Sequence, residues 1–226
     1  MVMAEATNHY FKHLGVSDGL SQVCIPSIYQ DELGAVWLGT TEGLNRYNGK
    51  DVRVFQPSES NHGLTNNEIN ELCGDKNGRM YIRSGNDLIK LDIYTEQFTC
   101  LRQKGVYGLF CKKDTLWVSC ADGIYYYTGQ GTELTFFARV QKGFVGRALY
   151  VDRETVWVVT RKYLVAISRE DPLRQEILLT LDKGNCILGD SSGNIWVGAW
   201  NGLYRISPNR ETTAYVSHSG MGELSD

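Results

Sequence analysis

One short sequence pattern recurs five times along this chain, and it constrains the fold more than any other feature. Each copy has an aromatic centre flanked by apolar residues, a small residue three positions later, and apolar residues seven and ten positions later. The centres are Trp37, Tyr81, Trp117, Trp157 and Trp196, which lie 44, 36, 40 and 39 residues apart. A period of about 40 residues with several short strands per unit is typical of a β-propeller.

Turn signals divide each repeat into four short strands, as in a propeller blade. In the first complete unit we expect strands at residues 23–30, 36–40, 44–47 and 51–56, and the Asn48-Gly49 pair is a strong hairpin signal between the last two. Pro26 lies in the first of these strands. Because proline has no N–H to donate, it suits an edge strand, such as the innermost strand that lines a propeller channel.

The pattern therefore predicts an all-β fold, a β-propeller built from four-stranded blades with about five blades present. The blade-like units are expected at residues 23–56, 68–103, 106–140, 147–181 and 185–218.

Both ends of the chain predict an array longer than these five units. Residues 1–8 look like a loose leader, and 9–226 form the propeller segment, with 9–14 as an extra strand of the outer type. The fifth unit has its own outer strand, so the extra strand is not needed to complete it, and the tail GMGELSD resembles the linkers between units. We expect an N-terminal piece of a longer array; the alternative is a closed five-bladed propeller with a redundant strand.

The composition excludes two classes of partner. A net charge of −3 with scattered Lys and Arg gives no basic patch, so we expect no nucleic-acid binding by this segment. No apolar run approaches the length of about 18 residues that a membrane helix needs, so we expect no membrane insertion by this segment. The N-terminus shows no signal peptide, and if the parent protein is exported we expect the signal to have been removed.

The sequence shows no arrangement of residues that predicts catalysis, a metal site or a cofactor. The four histidines do not pair with a serine, cysteine or carboxylate as a nucleophile and base would. The six cysteines lack metal-ligand spacing and read as free thiols that behave as small apolar residues, with disulfides as the alternative in an oxidising compartment. The carboxylates Asp31, Asp75 and Asp190 open turns, where an Asp side chain accepts bonds from its own backbone.

Trp200 breaks the repeat, because it stands in the turn between the second and third strands, where other units carry polar residues. An exposed tryptophan offers an apolar face for a sugar ring or a partner surface; covering its own blade is the alternative. The same turns carry Arg83 and Arg161, and linkers on the same propeller face carry Asn66 and Asn67. We predict that these five residues contact a ligand at one mouth of the propeller.

The repeats resemble the two-component regulator propeller repeat of bacterial hybrid two-component sensors, found especially in gut Bacteroidetes. That repeat looks like D-x-x-G-x-[IV]-W-[IV]-G-T-x-x-G-L-x-x-[YF]. Residues 31–47 (DELGAVWLGTTEGLNRY) match it closely and residues 190–206 (DSSGNIWVGAWNGLYRI) nearly so, whereas residues 75–91 keep only DKNG and the apolar positions. The resemblance covers residues 9 to 226, and its motif is specific for the repeat family and not for a ligand.

The resemblance implies a periplasmic sensor region with two seven-bladed propellers, followed by further sensor domains, a membrane helix and a histidine kinase. It implies that this chain is a non-catalytic segment that recognises, or helps to recognise, an oligosaccharide signal. The implied partners are the remaining blades, the downstream sensor domains and a second copy in a homodimer. Two alternatives stay open: a lyase-type propeller enzyme, and a scaffold for protein interaction or dimerisation alone.

Overall fold

The computed structural model describes residues 13–57, 63–141 and 144–216, which form 20 strands and one short 3-10 turn at Val16–Asp18. Blade 1 comprises β1 Ser27–Gln30, β2 Val36–Thr40, β3 Gly43–Tyr47 and β4 Val52–Phe55. Blade 2 comprises β5 Ile69–Gly74, β6 Arg79–Ser84, β7 Asp87–Asp92 and β8 Gln97–Arg102. Blade 3 comprises β9 Val106–Lys112, β10 Thr115–Cys120, β11 Gly123–Tyr127 and β12 Thr135–Ala138. Blade 4 comprises β13 Gly146–Val151, β14 Thr155–Thr160, β15 Tyr163–Ser168 and β16 Gln175–Thr180; blade 5 comprises β17 Cys186–Gly189, β18 Ile195–Ala199, β19 Gly202–Ile206 and β20 Thr212–Val216.

Each blade is an antiparallel sheet in which the four strands pair in chain order. The described part of the chain contains five such sheets, which confirms the prediction of an all-β propeller with about five four-stranded blades. The second strand is largely buried in blades 1 to 4, most completely in β14, where all six residues are buried.

The first strand of blade 1 is shorter than the sequence suggests. The expected strand at 23–30 is observed only as Ser27–Gln30, directly after Pro26. Proline has no N–H for a ladder hydrogen bond, so pairing begins at the next residue. The leader at 1–8 lies outside the described residues, as does the extra strand at 9–14 except for His13 and Leu14, which are not in a strand.

The repeated aromatic residues form the core between consecutive blades. Trp37 is fully buried in a cluster with Ile69 and Ile82 of blade 2, and Trp157 is buried with Ile195 and Val197 of blade 5. Tyr81 and Trp117 pack in the same way against blades 3 and 4. Each of these four centres therefore packs on the blade that follows it in the sequence.

A carboxylate fixes the first turn of most blades and also holds the central tryptophan. Asp31 is buried, and its Oδ1 accepts hydrogen bonds from the N–H groups of Leu33 (3.0 Å) and Ala35 (2.8 Å). Its Oδ2 accepts the indole N–H of Trp37 at 2.7 Å. The turn and the core residue are thus joined by one side chain.

The same carboxylate contact recurs in other blades. Asp152 accepts the indole N–H of Trp157 at 2.6 Å, and Asp190 accepts that of Trp196 at 2.9 Å. In blade 2, where tyrosine replaces the tryptophan, the Arg79 side chain takes the place of the indole on Asp75. Hydrogen bonds from Trp196 and Asn194 hold the pKa of Asp190 at about 2.

In the part of the chain that the structure describes, the apolar layer that faces the next blade in blades 1 to 4 is uncovered at blade 5. Strand register places Leu188 beside Trp196 and Leu203 beside Tyr215. The equivalent positions in blade 1 include Leu44 and Phe55, which are 0% and 3% exposed beneath blade 2, whereas Leu203 is 41% exposed. We call the surface formed by Leu188, Trp196, Leu203 and Tyr215 the open face of blade 5.

Candidate functional site

The turns between second and third strands and the linkers between blades share one side of the propeller, here called the turn face. These turns are at residues 41–42, 85–86, 121–122, 161–162 and 200–201. Backbone hydrogen bonds join turns to linkers: Gly43 N–H to the Asn67 carbonyl, and Trp200 N–H to the Asp182 carbonyl, each at 2.8 Å. The linkers are therefore held against the turns, on the face predicted from the sequence.

A cleft of about 410 Å³ lies on the turn face between blades 4 and 5. Its principal lining side chains are Arg147, Arg161, Lys183, Asn185, Cys186 and Trp200. We call it the blade 4–5 cleft. It brings together two of the five predicted ligand contacts, Trp200 and Arg161.

Trp200 presents its ring at the edge of this cleft. The side chain is 77% exposed, unlike the buried tryptophans of the repeat, so it does not serve to cover blade 5. The Nζ of Lys183 lies 4.6 Å from the ring centroid, a cation–π distance. The backbone bond to Asp182 fixes the turn from which the ring projects.

The cleft carries positive charge that no carboxylate neutralises. Arg147, Arg161 and Lys183 are all exposed, and none has an ion pair among the described residues. Arg102, by contrast, forms an ion pair of 2.7 Å with Asp122. The cleft is thus a local region of positive potential on a chain whose net charge is −3.

A second cavity of about 420 Å³ adjoins the first, because Arg147 and Arg161 line both. Its other principal side chains are Tyr107, Phe144, Val145 and Lys162. Phe144 packs on Tyr163 with ring centroids 4.8 Å apart. We call this cavity the apolar arm, and the cleft and the apolar arm together the groove.

The other predicted contacts lie on blades 1 and 2 and do not line the groove. Arg83 donates from Nε to Oε2 of Glu71 at 3.3 Å. The Asn66 side chain accepts the Glu68 N–H, and the Asn66 backbone donates to and accepts from the Ser84 hydroxyl. Asn67 holds the Gly43 turn through its carbonyl. The structure gives these residues contacts within the blades, and their role toward a ligand stays a prediction.

Two groove residues, Arg147 and Lys183, were not singled out in the sequence. Lys183 lies in the linker before blade 5, and Arg147 is the second residue of β13. Lys183 could have been predicted, because it is a charged residue in a linker and the linkers share the face that carries Trp200. For Arg147 the sequence has no comparable signal, because only blade placement shows that it reaches the groove.

Glu71 is a mostly buried acid on the inner strand of blade 2. Burial raises its pKa from 4.5 to about 7, although the Arg83 guanidinium and the Leu109 N–H (3.1 Å) partly oppose the shift. The folded protein therefore holds a proton that the unfolded chain releases near pH 4.5.

We expect stability to fall as pH rises through the window from about 4.5 to about 7, because the unfolded state binds fewer protons there. In the Glu71→Gln variant this part of the pH dependence should disappear, since glutamine does not titrate. Urea unfolding of both proteins at about pH 5 and about pH 8 measures it. An identical change between the two pH values in both proteins would contradict the assignment.

The largest cavity described, about 720 Å³, lies on the opposite face and is a weaker candidate. Its lining carries both signs of charge, and Arg210 forms an ion pair with Glu176. The Arg169 guanidinium is occupied by the carbonyls of Asp152 and Arg153, at 3.1 and 3.0 Å. The lining has no aromatic side chain that could stack on a sugar ring, which makes this cavity a weaker candidate than the blade 4–5 cleft.

Within the described ranges no group of three His, Cys, Asp or Glu side chains is placed to hold a metal ion. All six cysteines are free thiols in the structure, and Cys24 and Cys186 are exposed. Among the described residues there is no helix of the length and apolarity that crossing a membrane requires.

Comparison with known proteins connects one repeat of the chain to a family, the two component regulator propellers. Residues 19–42 match the model of that family, so the chain carries a two component regulator propeller repeat, which confirms the resemblance seen in the sequence. A segment of 53 residues is 38% identical to histidine kinase P4 of Formosa agariphila. That match covers 24% of this chain and 4% of the kinase.

Solved structures share the fold at low sequence identity. The extracellular domain of the hybrid two component system BT3049 from B. thetaiotaomicron aligns with a TM-score of 0.79 and 23% identity, over 91% of this chain and 32% of that chain. The extracellular domain of BT4673 from the same organism gives 0.75 and 19%, over 91% and 33%. A streptogramin B lyase gives 0.68 and 16%, over 89% and 72%. The chain thus spans about a third of the length of the two sensor-type structures.

Proposed function

We propose that this chain is a non-catalytic, extracytoplasmic sensor segment that recognises a glycan-derived signal in the groove on the turn face. The observation that carries the proposal is the exposed Trp200 beside the unpaired cations Arg161 and Lys183. An aromatic face with a few convergent polar groups is a common form of small-ligand site. Ligand binding would be signalled to a histidine kinase outside this chain.

The proposed place in a sensor protein draws on the relatives. The similar B. thetaiotaomicron structures are extracellular domains of two-component or one-component systems, and the Formosa relative is a histidine kinase. By analogy we place this segment in the periplasm, joined to further blades of a seven-bladed propeller, to downstream sensor domains and to a second copy in a homodimer. The open face of blade 5 supports the continuation, since it is apolar and shaped like the covered layers between blades.

The lyase alternative is less well supported than recognition. A propeller lyase would need a histidine and metal-binding carboxylates at the channel mouth. The lining of the blade 4–5 cleft contains cations, Asn185, a thiol and Trp200, and it has no carboxylate or imidazole. A bound sugar would be held in such a cleft without a group placed to act as a general base.

Cys186 gives a direct test of where the ligand sits, because its exposed thiol lines the cleft. We expect a binding oligosaccharide to slow alkylation of Cys186 by iodoacetamide at least severalfold. Cys24, exposed on blade 1 away from the cleft, should react at its usual rate and serves as an internal control. Mass spectrometry of both peptides, with a panel of oligosaccharides, measures the effect.

In the Trp200→Ala variant, the sugar should no longer protect Cys186 from alkylation, and calorimetry should no longer detect binding of the same sugar. Leu173→Ala is the matched control, since Leu173 is 92% exposed but lies on the opposite face. Binding that survives in Trp200→Ala without protection of Cys186 would move the site elsewhere. No binding by any oligosaccharide would favour the scaffold alternative, with recognition outside this chain.

A further inference from the structure

We infer that the groove selects acidic oligosaccharides, whose carboxylates or sulfate esters bind Arg147, Arg161 and Lys183. This inference rests on the proposed function and names the substrate class of the same site. The shared chemistry is a sugar chain with regularly placed anionic groups. Uronic acids and sulfated sugars are two sources of it, and the experiment below separates them.

The distribution of charge on the turn face is the first argument. Two acids on other blades have partners of their own: Glu71 binds Arg83, and Asp122 binds both Arg102 and Tyr125. Asp182, the acid next to Lys183 in the sequence, has no ion pair and does not line the cleft. Arg147, Arg161 and Lys183 are therefore available to an external anion.

The position of the two arginines is the second argument. Both Arg147 and Arg161 line the blade 4–5 cleft and the apolar arm, so they stand where the two cavities meet. A ligand that occupies both cavities must pass these guanidinium groups. The planar guanidinium binds a carboxylate or sulfate through two parallel hydrogen bonds, which a neutral hydroxyl does not offer.

Lys183 and Trp200 supply the third argument. The ammonium group now rests 4.6 Å from the indole ring centroid. A sugar ring that stacks on Trp200 would displace it from the ring face, and an anionic substituent on that sugar gives the ammonium a new partner within reach. A neutral sugar would separate the cation from the ring without replacing the contact.

Matched probes that differ only in charge test this inference by calorimetry on the full chain. A galacturonate hexasaccharide is compared with its methyl ester, and a sulfated galactan hexasaccharide without uronic acids with its desulfated form. We expect at least one acidic member to bind about tenfold or more tightly than its neutral counterpart. Its affinity should weaken as salt rises, since exposed charges are screened beyond about 8 Å at physiological ionic strength.

The variants Arg147→Gln and Arg161→Gln should each weaken binding of the acidic probe about tenfold and remove most of the salt dependence. The control variant Lys50→Gln, which removes an exposed cation on the opposite face of blade 1, should leave binding unchanged. Equal binding of acidic and neutral members would overturn the acidic preference while leaving glycan recognition intact. Binding by none of the four probes, nor by neutral sugars in the alkylation assay, would overturn both proposals.

Discussion

Trp37→Ala is expected to destabilise the chain by about 3–5 kcal/mol, the range for a buried tryptophan truncated to alanine. The side chain is 0% exposed and packs on Phe55, with ring centroids 5.6 Å apart, and on Ile69 and Ile82 of the next blade. Its loss leaves a cavity between blades 1 and 2 that the stiff sheets cannot close. Urea denaturation followed by far-UV circular dichroism measures the change.

Trp196→Ala is the matched control, because Trp196 occupies the same repeat position on the open face of blade 5. It is only partly buried and stacks on Tyr215 at 6.0 Å instead of on a following blade. We expect less than half the loss found for Trp37→Ala. Equal losses in the two variants would show that burial beneath the next blade is not what makes Trp37 important.

Asp31→Ala is expected to cost about 3 kcal/mol, because it removes three hydrogen bonds and leaves buried donors without partners. The lost acceptors serve the N–H groups of Leu33 and Ala35 and the indole of Trp37. The same unfolding experiment measures this loss, and Glu133→Ala, which removes an exposed carboxylate, should have an effect within about 0.5 kcal/mol.

A second variant, Asp31→Asn, separates the turn from the tryptophan. The amide oxygen of asparagine still accepts the two backbone N–H groups, but its NH₂ group meets the indole donor of Trp37. We expect an intermediate loss. If Asp31→Asn were as stable as the parent chain, the bond to the indole would not contribute to stability. The turn bonds alone would then explain the geometry that recurs in the blades.

The blades could be predicted from the repeat, because strand length, turn signals and the position of the aromatic centre are all local in sequence. The turn role of Asp31 was also predictable, since Asp favours such turns. The hydrogen bond of its second oxygen was not predictable, because only the folded hairpin brings the indole of Trp37, six residues later, to that carboxylate. The early end of the first strand at Pro26 likewise depends on which ladder bonds form.

Two residues of the candidate site were predictable from their place in the repeat. Trp200 breaks the pattern and Arg161 stands in the corresponding turn of blade 4, and the structure places both in one cleft. Arg147 follows the pattern of an inner strand, so its exposure at the groove depends on how blades 3, 4 and 5 are arranged around it. The burial of Glu71 also depends on a neighbour distant in sequence, the Leu109 backbone of the next blade.

The packing of each aromatic centre on the following blade has a consequence for synthesis. A chain made from its N-terminus exposes Trp37 until residues as far as Ile82 have left the ribosome. Each newly made blade then covers the aromatic layer of the blade before it, while its own aromatic layer stays exposed. We expect these contacts to form in chain order during translation, so that a ribosome paused after any blade carries one uncovered aromatic layer for chaperones to protect.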